Sequence, residues 1–208
     1  MFYISLQKLF EENEKETIED NLLKRNVDPN KIYVIIDKES NLATFLLYNL
    51  SGKLIGYQQY NPNGSKKIRQ SPDEKFKDVA RYWTYVTKGE RNKRELAVWG
   101  LESFNNSKEL FVTEGIFDAI KIQNAGYAAV AVLANNPEPL TEWFRIISKT
   151  KRIISILDND DNESGNLLAK FGSEYYKTPD PWKDLGDMPQ EKVNLFLDKI
   201  INSSFIKR

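Results

Sequence analysis

The chain has 208 residues with 30 basic and 30 acidic side chains, and it contains neither cysteine nor histidine. That inventory excludes disulfides, zinc ribbons, thiolate nucleophiles and imidazole bases, so any bound metal must sit on oxygen, which selects hard divalent ions such as magnesium or manganese. Hydrophobic residues at 40% and charged residues at 29% give an ordinary globular composition, long enough for one catalytic domain and a smaller appendage. The start, MFYISLQKLFEENEKE, has no basic segment followed by an apolar stretch, and no run of about 18 apolar residues occurs anywhere. The expectation is a soluble, cytoplasmic protein without membrane contact.

The zero net charge hides an uneven distribution. Residues 1–63 carry 7 basic and 9 acidic side chains, 64–94 carry 10 and 4, and 95–208 carry 13 and 17. A basic middle between two acidic flanks suits contact with a phosphate backbone.

From Ser5 to about Asn26, Leu6, Leu9, Phe10, Ile18, Leu22 and Leu23 recur at helical spacing among Glu and Lys, predicting one or two helices that end at Asp28-Pro29. KIYVIID and ATFLLYNLSGKLIGYQQYNP read as strands, the latter pair joined by the turn Asn49-Leu50-Ser51-Gly52-Lys53. Residues 61–94 are polar, basic and dotted with aromatics, which predicts a loop-rich connector. Its cations Lys66, Lys67, Arg69, Arg81, Arg91, Lys93 and Arg94 lie among Tyr82, Trp83 and Tyr85. Stacking on bases contributes about 1–3 kcal/mol per base in single-strand binders, so this mixture suits single-stranded nucleic acid; the bland alternative is a solvated loop.

From about residue 95 strands and helices alternate. ELFVTE reads as a strand, GIFDAIKIQNAG as a helix ended by Gly126, YAAVAVL as a strand, EPLTEWFRIISKT as a helix and RIISILD as a strand. SGNLLAKFGSEYY is predicted as a third helix and MPQEKVNLFLDKIINSS as a terminal one. Continuous apolar strands separated by helices indicate an α/β fold, a mostly parallel sheet flanked by helices, preceded by a small α+β subdomain. The expected division is 1–94 and 95–208.

Carboxylates stand at the carboxyl ends of the predicted strands, where such sheets bind ligands. Glu114 and Gly115 close the first strand, Asp118 lies in the first turn of the following helix, and Asp158 and Asp160 close the third strand. Singly, each has a plain structural reading, since an acid in a first helical turn gains about 0.3–1 kcal/mol from the helix dipole. Together they point to a metal site, because uncompensated carboxylates crowded at one place repel each other. Gly115 would let the backbone turn beside a ligand without a Cβ penalty.

FVTEGIFDAI resembles the Glu-Gly-x-x-Asp segment, and LDNDDNESGN the Asp-x-Asp segment, of the TOPRIM family of bacterial primases, phage primase-helicases, topoisomerases and some nucleases. PWKDLGDM is similar to the Lys-Asp-x-x-Asp/Glu element that follows in primases, matching Lys183, Asp184 and Asp187. The resemblance runs from about Glu95 to Ile201, and the strands and basic stretch upstream resemble the small subdomain before TOPRIM in primase-helicases. Two departures stand out. Gly165 lies five residues after Asp160 where the family usually has three, so either Asp160 or Asp161 takes the second position of the pair. Leu133-Ala134-Asn135-Asn136 replaces a Gly/Thr-rich loop.

The resemblance implies a metal-dependent, primase-like nucleotidyltransferase that makes primers on single-stranded DNA. Asp158, Asp160 and Asp184 would hold magnesium or manganese, with Glu114 as a further ligand or as general base and Asp118 in the catalytic group. Lys183 and Asp187 would face a nucleoside triphosphate. A replicative helicase is the implied protein partner, and a role in phage or plasmid replication follows from the likeness to phage proteins. Two alternatives remain: a nuclease using the same acidic cluster on a phosphodiester, and a non-catalytic module docked on a replication assembly.

Overall fold

The computed structural model of the chain describes residues 16–66, 79–87, 96–104, 107–133, 140–159 and 174–203. Of the expected N-terminal helices, Ile18–Lys24 (α1) is seen, and residues 5–15 lie outside the described ones. Thr17 caps α1 by accepting from the Asp20 amide at 3.1 Å, a bond typically contributing about 1 kcal/mol. Ile18 and Leu22 form its buried face.

Strands Ile35–Asp37 (β1), Leu42–Tyr48 (β2), Leu54–Tyr60 (β3) and Tyr82–Val86 (β4) form one antiparallel sheet in that order. The β2–β3 turn is the one expected. The Asn49 side chain accepts from the amides of Ser51 and Lys53 at 3.1 and 2.9 Å, and Gly52 takes a φ of +78°, which glycine adopts without a Cβ penalty. β4 corrects the expectation of a loop-rich connector over 61–94. Tyr82, Trp83, Thr84, Tyr85 and Val86 pair with β3 from Tyr60 back to Gly56; their aromatic and β-branched alternation outweighs the charges on either side. The Arg81 guanidinium donates to the carbonyls of Gly64 and Pro62 at 3.1 and 2.8 Å, closing the turn that returns the chain to the sheet.

Glu109–Thr113 (β5), Ile116–Asn124 (α2), Ala129–Ala131 (β6), Thr141–Ile147 (α3), Arg152–Leu157 (β7), Glu174–Lys177 (β8) and Gln190–Ser203 (α4) complete the chain. The second sheet is parallel throughout, in the order β6-β5-β7-β8. β8 overturns the helix expected to run through Tyr176. Glu174 to Tyr176 is strand, with every second residue exposed, and residues 164–173 of that expected helix lie outside the described ones. Glu174 anchors this edge through a two-pronged pair with Arg152, at 3.0 and 2.7 Å.

Side-chain alternation covers both faces of the sheet. Leu110, Val112, Val130, Ile153 and Leu157 pack against Leu140 and Phe144 at α3. Phe111, Ala129, Ala131, Ile154 and Ile156 join Ile116, Ala119 and Ile120 of α2 and Val193, Leu197 and Ile200 of α4. The same cluster takes in Ile18, Leu22, Phe45 and Tyr60, so α1 and the antiparallel sheet share a core with the parallel one. Phe117 is the hinge of that union, with its ring 5.7 Å from Phe45 and 4.8 Å from Tyr60. Among the described residues no helix is long and apolar enough to cross a membrane.

Candidate active site

The chain leaves β5 to form β6 on one side and then crosses back to form β7 on the other. The carboxyl ends of β5 and β7 therefore flank the topological switch point, where open α/β sheets leave a crevice for ligands. Glu114 follows β5 directly and Asp158 follows β7 directly; both are half-buried. The Glu114 carbonyl accepts from the Leu133 amide at 3.2 Å. Leu133 has a φ of +52°, an unusual backbone for a bulky residue, at the start of the loop Leu133-Ala134-Asn135-Asn136. Residues 134–136 of that loop lie outside the described ones.

Asp118 is buried on α2, one turn in from Gly115. Its Oδ1 accepts from the Gly186 amide at 2.8 Å. A Cβ on Gly115 would stand 2.6 Å from its Oδ2. Gly115 itself is extended, with φ −103° and ψ 152°. The space a side chain would need at 115 is thus taken by the Asp118 carboxylate, so the glycine answers to that close approach and not to the sharp turn expected from the sequence. Burial, then the negative charges of Asp184 and Asp158, push the Asp118 carboxyl up to about 8, against the smaller pull of the Gly186 amide and Arg25. A carboxyl in that condition is protonated at neutral pH unless a cation arrives.

The third strand end is stitched to the segment after β8. The Asn159 amide donates to the Lys183 carbonyl at 2.6 Å, and its side chain donates to Asp180 Oδ1 at 2.7 Å and to the Trp182 carbonyl at 3.4 Å. Asp184 opens a 3₁₀ turn, Leu185–Asp187, by accepting from the Asp187 amide at 2.8 Å. Lys183 and Asp187 are exposed beside it. Asp118, Asp158 and Asp184 therefore share one electrostatic neighbourhood. Asp160 and its rival Asp161 lie outside the described residues. Among the described residues no three carboxylates are already arranged around a single ion. The donor chemistry nevertheless fits a hard divalent cation: oxygen only, negative in excess, and partly withdrawn from water.

Sequence reasoning missed three residues here. Asn159 sat unremarked between the two expected ligands. Lys121 is buried on α2 and donates to Asn26 Oδ1 at 2.6 Å and to the Met188 carbonyl at 2.9 Å; burial, then Arg25, lower its pKa. Arg25 reaches the site from the end of α1. None carries a local signal, because each acts on residues far along the chain.

Of the basic residues expected to meet nucleic acid, Lys66 is exposed and Arg81 is engaged in closing its turn. Lys67, Arg69, Arg91, Lys93 and Arg94 lie outside the described residues. The aromatics of β4 divide between the two faces. Tyr82 turns inward against Tyr60 and Phe117. Trp83 and Tyr85 stack at 6.2 Å with Tyr57 on the opposite face, where Trp83 is buried and Tyr85 exposed.

The architecture recurs in solved structures. The primase fragment of the bacteriophage T7 primase-helicase superposes with a TM-score of 0.52 at 13% identity, over 77% of this chain and 62% of that one. The DnaG primase catalytic domain bound to single-stranded DNA gives 0.55 at 15%, over 88% and 64%. This chain has the fold of a DNA primase catalytic core. The Aquifex aeolicus primase, with its zinc-binding and RNA polymerase domains, shares the primase-core fold at 0.51 and 17%, over 89% of this chain and 47% of that one. The chain thus spans between 47% and 64% of the length of these three primase structures. No protein-family model and no curated protein matches the sequence.

Proposed function

We propose that this chain is the catalytic core of a metal-dependent DNA primase, a TOPRIM-type nucleotidyltransferase that lays down primers on single-stranded DNA. The observation that supports this reading is the shared electrostatic neighbourhood of Asp118, Asp158 and Asp184 in a chain whose parallel sheet carries Glu114 and Asp158 directly after the two strands that flank its switch point. Asp158, Asp184 and one of Asp160 or Asp161 are the proposed ligands of magnesium or manganese. When bound, such an ion neutralises phosphate charge and lowers the pKa of an attacking hydroxyl.

The remaining roles belong to the chain. Glu114, directly after β5, would ligate or accept the proton of the attacking 3′-hydroxyl. Asp118 ties α2 to the turn that carries Asp184 and so fixes the spacing of the ligands. Exposed Lys183 offers a point charge to the triphosphate, with Asp187 beside it. The basic stretch 64–94 is proposed to hold the template, Lys66 and the more distal cations through phosphate and Tyr85 through stacking. The work would be done in the cytoplasm, that of the host if the source is a phage, with a replicative helicase as partner; the T7 relative is itself a primase-helicase.

Labelled nucleotides on single-stranded DNA, run beside supercoiled plasmid with magnesium or manganese, test the reading. Template-dependent oligomers support it. Nicked plasmid without oligomers assigns the same acidic cluster to a nuclease, and neither product leaves the chain a docking module.

A further inference from the structure

The acidic cluster has a built-in cation that comes from the other end of the chain. Arg25 caps the carboxyl end of α1, a position that favours positive charge. The next residue, Asn26, takes a left-handed φ of +60° and is clamped to α2 from two sides. Its side chain accepts from Lys121, and its carbonyl accepts from Asn124 at 2.7 Å. That clamp aims the Arg25 side chain at the site. Its Cζ lies 3.9 Å from the Phe117 ring centroid and 5.6 Å from that of Tyr60, and among the described residues its buried Nε finds no hydrogen-bond partner.

Gly186 marks where the charges meet. The position that a Cβ would take there is 3.0 Å from Arg25 Nη2, 3.1 Å from Asp184 Oδ1 and 3.3 Å from Phe117 Cβ. The amide of the same glycine holds Asp118. Guanidinium and carboxylate thus face each other across one missing methyl group, in a half-buried layer capped by an aromatic ring.

We infer that Arg25 is a positioning residue that serves as the internal counter-charge of the carboxylate cluster, holding Asp184 in place in the metal-free protein and restraining how tightly the cluster binds a divalent cation. Because its sign matches that of the ion, Arg25 makes the site easier to fold empty and weaker once filled. The first half of this statement stands on the geometry alone, and the second rests on the metal-site reading above. Phe117 and Tyr60 explain how a cation is kept there: cation–π contact compensates part of the lost hydration while leaving the charge unspent toward the carboxylates.

The test uses the full chain and the variants Arg25→Met, Arg25→Lys, Asp184→Asn and the Met/Asn double. Met keeps apolar contact with the Phe117 ring, and Asn keeps the capping hydrogen bond of residue 184. In chelator, urea unfolding should show a lower midpoint for Arg25→Met, most of it restored by Arg25→Lys, and a penalty at least halved when residue 184 is already Asn. Strictly additive penalties would show that Arg25 only packs against Phe117, and would overturn the inference. Manganese titration forms the second arm. Charges this close, at an effective dielectric constant of about 20, couple strongly enough for Arg25→Met to bind manganese about tenfold more tightly, with Arg25→Lys close to the parent chain. Unchanged or weaker binding by Arg25→Met, in a protein that does bind manganese, overturns the inference as well. If no variant binds manganese while the unfolding coupling holds, the metal-site reading fails and Arg25 keeps its role.

Discussion

Gly115→Ala is the substitution whose cost the geometry defines most closely. The backbone at Gly115 is extended, with φ −103°, so Ala meets no conformational barrier and would gain about 0.4–1 kcal/mol from a less flexible unfolded chain. Against that, the new methyl stands 2.6 Å from Asp118 Oδ2, inside contact distance. Asp118 must rotate away, and the 2.8 Å bond from the Gly186 amide is then strained or lost. A buried donor left without its acceptor costs about 1–3 kcal/mol, and crowding in a packed interior adds about 1–3 kcal/mol more. The net expectation is a loss of about 1–5 kcal/mol, the two contributions offset by the gain just given. Urea unfolding without metal measures it, and Gly115→Ala combined with Asp118→Ala supplies the control: with the carboxylate gone, the methyl has nothing to strike, and most of the penalty from position 115 should vanish. Full additivity of the two, or a single-variant loss under about 0.5 kcal/mol, the ordinary scatter of surface substitutions, would refute the proposed reason for the glycine.

Further outcomes follow from the same site. The Asp118 carboxyl is raised from 3.8 to about 8 by burial and by its acidic neighbours. Between those values the folded state binds a proton that the unfolded chain has released, so metal-free stability should fall as pH rises from about 4 to about 8, by up to about 1.4 kcal/mol per pH unit; urea midpoints across that range should flatten in Asp118→Asn. Asn159→Ala removes the side-chain bonds to Asp180 and Trp182 and should cost about 1–2 kcal/mol while raising KM for nucleotide more than it lowers kcat; an unchanged KM would show that the 180–184 segment is held otherwise. For the rivals after β7, the sequence alternation of the Asp-x-Asp pattern favours Asp160 as the partner of Asp158, so magnesium titration should weaken more for Asp160→Ala than for Asp161→Ala, and the reverse order would reassign the ligand.

Much of the architecture was legible because strong local patterns carry it. The apolar runs of β5, β6 and β7 could be buried only in a sheet covered on both faces, and Asn49 to Lys53 offered turn chemistry that the β2–β3 hairpin uses residue by residue. β4 was obscured because five strand-forming residues sit in a stretch dominated by charge, and the pairing that defines them lies on β3. β8 was obscured for the opposite reason: a four-residue edge strand with half its side chains exposed has too little pattern to resist being read as the end of a helix. At the site, sequence reasoning placed the acids at strand ends but not their supports. Gly115 answers to a carboxylate three residues on, Asn159 to the segment beyond β8, and Arg25 to Phe117 and Gly186, contacts that exist only once the chain has closed on itself.

Glu114 and Asp158 stand at the tips of the two strands that flank the switch point, and the claim that this is a catalytic centre is tested most directly by removing either. Template-dependent incorporation of labelled nucleotides on single-stranded DNA, with magnesium or manganese, should be present in the parent chain and lost in Glu114→Ala and in Asp158→Ala, while both variants keep a parent-like circular dichroism spectrum and a melting temperature no lower than that of the metal-free parent. Undiminished incorporation by either folded variant would contradict the account.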